Sequence, residues 1–395
     1  MAPDVNLNRP FDPRLFLMDQ ELDRGVGLLL ALVPWLKTVF GFPTFYLIFL
    51  YFTFFWIAQA SSWNMLSGYS GYFSFGQGAF FGIGVYTIAT LIDKYNVSFL
   101  IGLPLGGILA ALVGLGIGFV VFRLRLLKGE LFALLTLAVD FVLAAVVRNS
   151  NAIDGGFGVR LGSVKPPAFL GDFTTMMYLL GLAIALLTVF VSYSIYHSRF
   201  GLGLFAIRDD EAVAEGLGVP TFRFKMTIFA LSCFFIGLSG ALQALQIGYI
   251  TVEGIFSLRV PLFVIMMSIL GGRQHWLGPV IGAVIIFTLT DTFSKASIEY
   301  LNQIIIGSFL IIMTLFLRDG IYERLKQRLW LSLAVLFIAT VVMMITGLGE
   351  RLISQLAYAM LITVAFLLVP DNLYHRLISP FQFLHSDEPV GVSDA

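Results

Sequence analysis

Long uncharged runs alternate along this chain with short polar or glycine-rich breaks, and the runs have the length of membrane-crossing helices. Such a helix needs about 20 mostly apolar residues. Gly25–Phe40 is the first candidate, followed by Phe45–Asn64, Ala79–Leu91, Tyr95–Phe122, Leu131–Val147, Phe173–Tyr196 and Met226–Gly248. Leu262–Leu270 and Val280–Thr290 are two shorter apolar pieces, and Tyr300–Leu317, Trp330–Ile345 and Leu352–Val369 complete the series. The runs are continuous and lack the alternation of apolar and polar residues that a membrane β-barrel requires. The pattern predicts an all-α, polytopic transmembrane helical bundle with discontinuous or re-entrant helices. It divides the chain into a polar amino-terminal tail (1–24), a transmembrane core (25–320), a further helical pair (329–370) and a polar tail (371–395).

Two breaks interrupt the apolar pattern without adding acidic residues. Ser67–Gly78 reads SGYSGYFSFGQG, with four glycines in twelve residues, a composition that disfavours a continuous helix. Gly271–Pro279 reads GGRQHWLGP between the two short pieces and predicts that the chain dips in and returns. Irregular backbone at membrane depth must be buried in protein or line a water-filled cavity, and transporters place substrate sites at such breaks. Gly71, Ser74, Phe75, Gly76, Gln77 and Gly78 in the first break, and Gly271, Gly272, Gly278 and Pro279 in the second, are therefore candidate pathway residues. The same glycines also suit close helix packing without any solute contact.

Ser198–Lys225 is a charged stretch set between two long uncharged runs. Its middle, Arg208–Leu217, suits a short amphipathic helix with Asp209 or Asp210 as its N-cap, ended by Gly216, Gly218 and Pro220. A short helix held at one face of a membrane bundle is a handle for another protein, although a solvated loop fits the composition as well. Asp140 is the other conspicuous charge, near the centre of the 131–147 run, where an acid is costly and either functional or a sheltered structural group. Gln243 and Gln246 suit helix packing, His275 has no named partner, and Cys233 suits a small core position.

Composition agrees with this pattern. The chain is 58% hydrophobic and 12% charged, against about 25% charged for soluble domains. Lys+Arg and Asp+Glu balance at 24 each, which gives no reason to expect a nucleic-acid partner. A single cysteine rules out an intrachain disulfide, and no cluster of ligands suggests a metal. The first 24 residues have no apolar centre and do not resemble a cleavable signal. Lys/Arg counts set the orientation. With 262–290 dipping and returning, fifteen basic residues fall on the amino-terminal side and eight on the other, Arg273 standing at the tip. That places 198–225 in the cytoplasm and the Asp154-Gly155-Gly156 loop outside. No phosphate-binding loop, zinc-protease or nucleophile-elbow motif is present, so no catalytic constellation is predicted and an energy source would have to lie in another chain.

Several segments taken together resemble the LivM-type permease subunits of branched-chain amino acid ABC importers. They are Leu66–Gly84 (LSGYSGYFSFGQGAFFGIG), Gly129–Ala138 (GELFALLTLA), Gly155-Gly156, Ala206–Val219 (AIRDDEAVAEGLGV), Phe235–Leu242 (FIGLSGAL) and Leu270-Gly271-Gly272 with Gly278–Ala283 (GPVIGA). Their order spans about residues 45 to 320. The resemblance implies a bacterial inner-membrane protein paired with a second, LivH-type permease. It also implies two cytoplasmic ATPase subunits that bind ATP and Mg, and an extracytoplasmic solute-binding protein. This chain would carry no cofactor and would not be an enzyme. Arg208, Asp209, Asp210, Glu211, Ala212, Glu215 and Gly218 would form the coupling helix, with Glu211-Ala212 and Gly218 similar to the Glu-Ala-Ala…Gly pattern of ABC importers. Thr136 and Asp140 would join the substrate pathway. Three departures stand out: Asp154 where the family has Thr before Gly-Gly, Leu317-Arg318-Asp319-Gly320 where a proline-containing end is usual, and the added helical pair after the core. Urea or short amides are the rival solutes in the same class. An ion-coupled secondary transporter or channel using Asp140 is the rival of a different class.

Overall fold

The computed structural model describes residues 43–123, 129–153, 155–162, 164, 166–167, 170–294, 307–308, 320–346 and 352–367. The 1–24 tail, the Gly25–Phe40 run, Asp154, nearly all of Tyr300–Leu317 and the 371–395 tail lie outside the described residues. The helices are α1 (Thr44–Ser70), α2 (Gln77–Tyr95), α3 (Phe99–Arg123), α4 (Glu130–Asn149), α5 (Phe173–Tyr196), α6 (Arg199–Asp209) and α7 (Glu211–Gly216). They continue as α8 (Thr221–Ile247), α9 (Val252–Ile255), α10 (Arg259–Gly271), α11 (Gly278–Ser294), α12 (Ile321–Gln327), α13 (Leu329–Thr346) and α14 (Leu352–Leu367). Among the described residues, six helical stretches are long and apolar enough to cross a membrane, or up to seven if one bent pair is a single span.

The core is built around α8, which packs against α2 and α3, with α1 and α5 beside it. Small residues allow this closeness. A Cβ on Gly84 of α2 would overlap the Gly237 carbonyl of α8, and one on Gly114 of α3 would press on Cys233 Sγ at 2.6 Å. Bringing backbones this near maximises dispersion contact where lipid gives no hydrophobic incentive to associate. Cys233 is thus a buried packing residue. Gln243 accepts a 2.6 Å hydrogen bond from Tyr51 of α1, which makes it a helix-packing group. The outward face of α3 shows Leu105, Ile108, Leu112, Leu115 and Phe119, an apolar exterior suited to hydrocarbon.

The bundle has two unlike ends. At one, α6 and α7 carry the charged segment. At the other, β1 (Val159–Arg160) pairs antiparallel with β2 (Tyr249–Ile250) and straps the 150–172 loop to the end of α8. Gly155 and Gly156 sit in that loop with φ of 64° and 84°, conformations that favour glycine. Beyond the core, α13 and α14 pack on each other, and α14 covers α11.

Candidate functional site

The first break is shorter than the glycine count predicts. Helix α1 runs through Ser67, Gly68 and Tyr69 to Ser70, and only residues 71–76 are non-helical before α2 begins at Gln77. Gly68 serves packing: a Cβ there would overlap the Arg273 carbonyl, so the two breaks touch at this point. Gly71, at φ 75°, reverses the chain. Residues 72–76 then run back along α1, so that Ser74 O accepts from Trp63 Nε1 at 2.8 Å and Gln77 Nε2 donates to Gln59 Oε1 at 2.9 Å.

Hydroxyl groups satisfy the extended backbone. The Ser74 N–H donates to Ser67 Oγ (3.3 Å), the Phe75 N–H to Thr136 Oγ1 (2.9 Å) and the Gly76 N–H to Ser74 Oγ (3.2 Å). This is the requirement for irregular backbone buried among helices. Thr136 and Asp140 stand one turn apart on α4, so both face the break. Asp140 is 0% exposed, and its carboxylate lies where a side chain on Gly78 would have to go, 2.6 Å from the position of a Cβ. The opening turn of α2 favours a negative charge there, yet neither carboxylate oxygen has a hydrogen-bond partner among the described residues. Gln59 Nε2 and Ser61 Oγ on α1 are likewise buried without partners.

The charged segment forms two helices rather than the single one predicted over 208–217. Asp210 breaks the chain in extended conformation (φ −155°) and caps α7, accepting from the Ala212 and Val213 N–H groups at 2.8 and 3.1 Å. Gly218, at φ 89°, ends it. The side chains then divide. Arg208 turns inward, its guanidinium 3.4 Å from Gly68 O. Glu211 is also turned inward, 2.6 Å from Lys225 Nζ of α8 and 2.6 Å from the Tyr72 hydroxyl. Asp209, Asp210, Ala212, Val213, Glu215, Leu217 and Gly218 are exposed, and Leu217 at 79% is among the barest apolar residues of the chain.

The second break is a tight turn. Residues 272–277 join α10 to α11, and Gly271, Gly278 and Gly282 let the two helices meet backbone to backbone, with Gly278 against Gly272 and Gly282 against Met267. The tip stands level with the last turn of α5: His275 stacks on Tyr322 of α12 at 3.9 Å and meets Tyr196, while Trp276 packs edge-on to Tyr193. Burial, with His197 and Lys326 nearby, pushes the His275 pKa down to about 4. Its Nδ1 accepts the Leu277 N–H at 3.2 Å, which fits the neutral ring.

A family model described as branched-chain amino acid transport system / permease component matches residues 45–314. This chain belongs to that family. It is similar to the high-affinity branched-chain amino acid transport system permease protein LivM of Escherichia coli (strain K12), with 27% identity over 294 residues, 68% of each chain. The corresponding LivM of Salmonella typhimurium (strain LT2) is 26% identical over 295 residues, again 68% of each. A probable branched-chain amino acid transport permease protein LivH from Methanocaldococcus jannaschii is 23% identical over 229 residues, 54% of this chain and 69% of that one. No solved structure matches. The chain is a multi-pass membrane protein of this permease family.

Within this permease, the first break, Thr136 and Asp140 form one contiguous polar site. Gly271, Gly272, Gly278 and Pro279 lie at the turn of a neighbouring helix pair, where Gly271 meets Gly278 and Gly282, Gly278 meets Gly272, and Gly320 closes on Gly272. Gly155 and Gly156 lie in the loop at the opposite end from the charged segment. In the sequence Tyr72 is one of several aromatics in the first break and Lys225 merely ends the charged stretch. The available signal was a lysine immediately before a run of uncharged residues, at a depth where it must find a partner.

Proposed function

We propose that the chain is one of two permease subunits of an ATP-driven importer of branched-chain or other neutral amino acids in a bacterial inner membrane. Two separate ATPase subunits would power it, and an extracytoplasmic binding protein would deliver solute. The observation that carries this reading is the elbow of α6 and α7. A capped helix projects from the bundle with Val213 and Leu217 bare between Asp209, Asp210 and Glu215, while its inner residues are fixed to the core. An apolar knob with an acidic rim suits insertion into a partner's groove. Rocking of the elbow would alternate access to the polar site behind residues 71–76. There, Asp140 would receive the ammonium group of the amino acid, since a buried carboxylate without a partner favours a cation.

Co-purification of the tagged chain with Val213→Asp and Leu217→Asp together tests the docking role. The ATPase subunits are expected to be lost while the permease still inserts and elutes as a single species; retained ATPases would count against the elbow. Glu211→Lys is the less specific probe, because it disrupts the interior. Uptake of labelled leucine and of urea by the Asp140→Asn variant separates the solutes. Leucine uptake is expected to fall about tenfold or more, whereas an uncharged solute would be little affected. Uptake driven by an ion gradient in the lone chain would favour the secondary transporter instead.

A further inference from the structure

One buried cation draws together α7, α8, the end of α3 and the extended segment after α1. Lys225, in the second turn of α8, is 3% exposed. Its Nζ donates to Glu211 Oε1 at 2.6 Å and to the Tyr72 hydroxyl at 3.2 Å. The Tyr72 hydroxyl in turn donates to Glu211 Oε2 at 2.6 Å. The same ammonium lies 5.0 Å from the Tyr72 ring and 5.3 Å from the Phe122 ring at the end of α3. Tyr72 stands edge-on to both Phe122 and Phe132 of α4.

Removing two charges from water is costly, and an apolar pair of the same volume often stabilises a protein as well or better. A retained buried pair is therefore better understood by what it fixes in place. Here Glu211 opens α7, the helix of the exposed elbow, and Tyr72 belongs to the extended segment at the polar site. Two residues beyond Tyr72, the Ser74 carbonyl is held by Trp63; one further, the Phe75 N–H is held by Thr136, one turn from Asp140. Arg208 makes a parallel tie from the end of α6 to the Gly68 carbonyl, but at 3.4 Å and partly exposed. The Glu211 bonds to Tyr72 and to Lys225 are both 2.6 Å, and Tyr72 and Lys225 are themselves buried, so a displacement of α7 reaches residue 72 with little slack.

We propose that Glu211, Lys225 and Tyr72 form a transmission joint, in which Tyr72 and Lys225 are positioning residues that convey movement of α7 to the 71–76 segment and so to the Thr136–Asp140 face. The proposal rests on the importer reading above. It assigns Glu211 to the interior side of the coupling elbow and not to the partner-binding surface.

The test uses the complete importer, with both permeases, both ATPases and the binding protein, in proteoliposomes, recording ATP hydrolysis and labelled leucine uptake together. Tyr72→Phe keeps the ring and its aromatic packing and removes only the hydroxyl. The complex is expected to purify intact and to hydrolyse ATP, while leucine moved per ATP falls about tenfold. Glu211→Gln combined with Lys225→Met leaves no charge buried alone and is expected to show the same loss with the assembly intact. Wild-type leucine-to-ATP ratios in both variants overturn the joint. So does loss of the ATPases from Tyr72→Phe, which would make the cluster a docking or folding element. A wild-type complex that moves no leucine with ATP overturns the importer reading, and the joint with it.

Discussion

The two breaks look alike in sequence and are built in opposite ways. Residues 71–76 form an extended segment whose backbone is held by side chains: Ser67, Ser74 and Thr136 hydroxyls take its N–H groups, and the Trp63 indole donates to the Ser74 carbonyl. Residues 272–277 form a turn whose neighbours meet through bare backbone, glycine on glycine. In the first, polar groups are gathered and one carboxylate is left unpartnered; in the second, the glycines remove side chains so that two helices can close. Glycine density thus marks an interruption without saying whether it holds a site or a hinge pin. The flanking hydroxyls, acids and amides make that distinction.

Three substitutions test the contrast. Lys225→Met removes the ammonium bound to Glu211 and is expected to give the largest loss of stability of the three. Thermal unfolding of the purified permease in detergent measures it, and adding Glu211→Gln should restore most of the loss. Full stability of the single variant would show that water already reaches the carboxylate. Gly278→Ala tests the second break, because its methyl group would run into backbone at Gly272 that cannot rotate away. Overpacking of this kind is expected to cost about 1–3 kcal/mol, whereas uptake per folded molecule should stay near wild type if the turn only packs. The same turn also has a pH dependence. His275 is held neutral in the folded chain with its pKa lowered to about 4, by burial first and then by His197 and Lys326. The unfolded chain therefore binds more protons between that value and the ordinary histidine value of about 6.5. Stability from this group is complete above about 6.5 and declines as pH falls toward about 4. His275→Phe keeps the stacking on Tyr322 and should flatten that decline; an unchanged slope would assign it to other groups.

Much of the architecture is legible in the sequence because membrane helices announce themselves by length and apolarity. The apolar run Phe173–Tyr196 coincides with the bounds of α5. Boundaries near the first break were less legible: glycine argued against helix at Ser67–Ser70, but packing against Arg273 overrides that propensity. Asp210 was recognisable as a cap, yet the break it makes between α6 and α7 was not, because a cap residue does not reveal that another helix ends just before it. Least legible was the direction of side chains. Glu211 and Glu215 look equivalent in a charged stretch, and only the fold shows that one is bound to Lys225 while the other is exposed.

The arrangement of buried charges has a consequence for biosynthesis. A chain enters the membrane from its amino terminus, and an acid or base near the middle of a span burdens insertion by about 2.5–3.5 kcal/mol. Asp140 rests on Gly78, more than sixty residues earlier in the sequence, and Lys225 is received by Tyr72, Phe122 and Glu211, all earlier as well. Asp140 and Lys225 thus emerge from the ribosome after the residues that will shelter them. For these two groups, the order of the chain presents a surface already made.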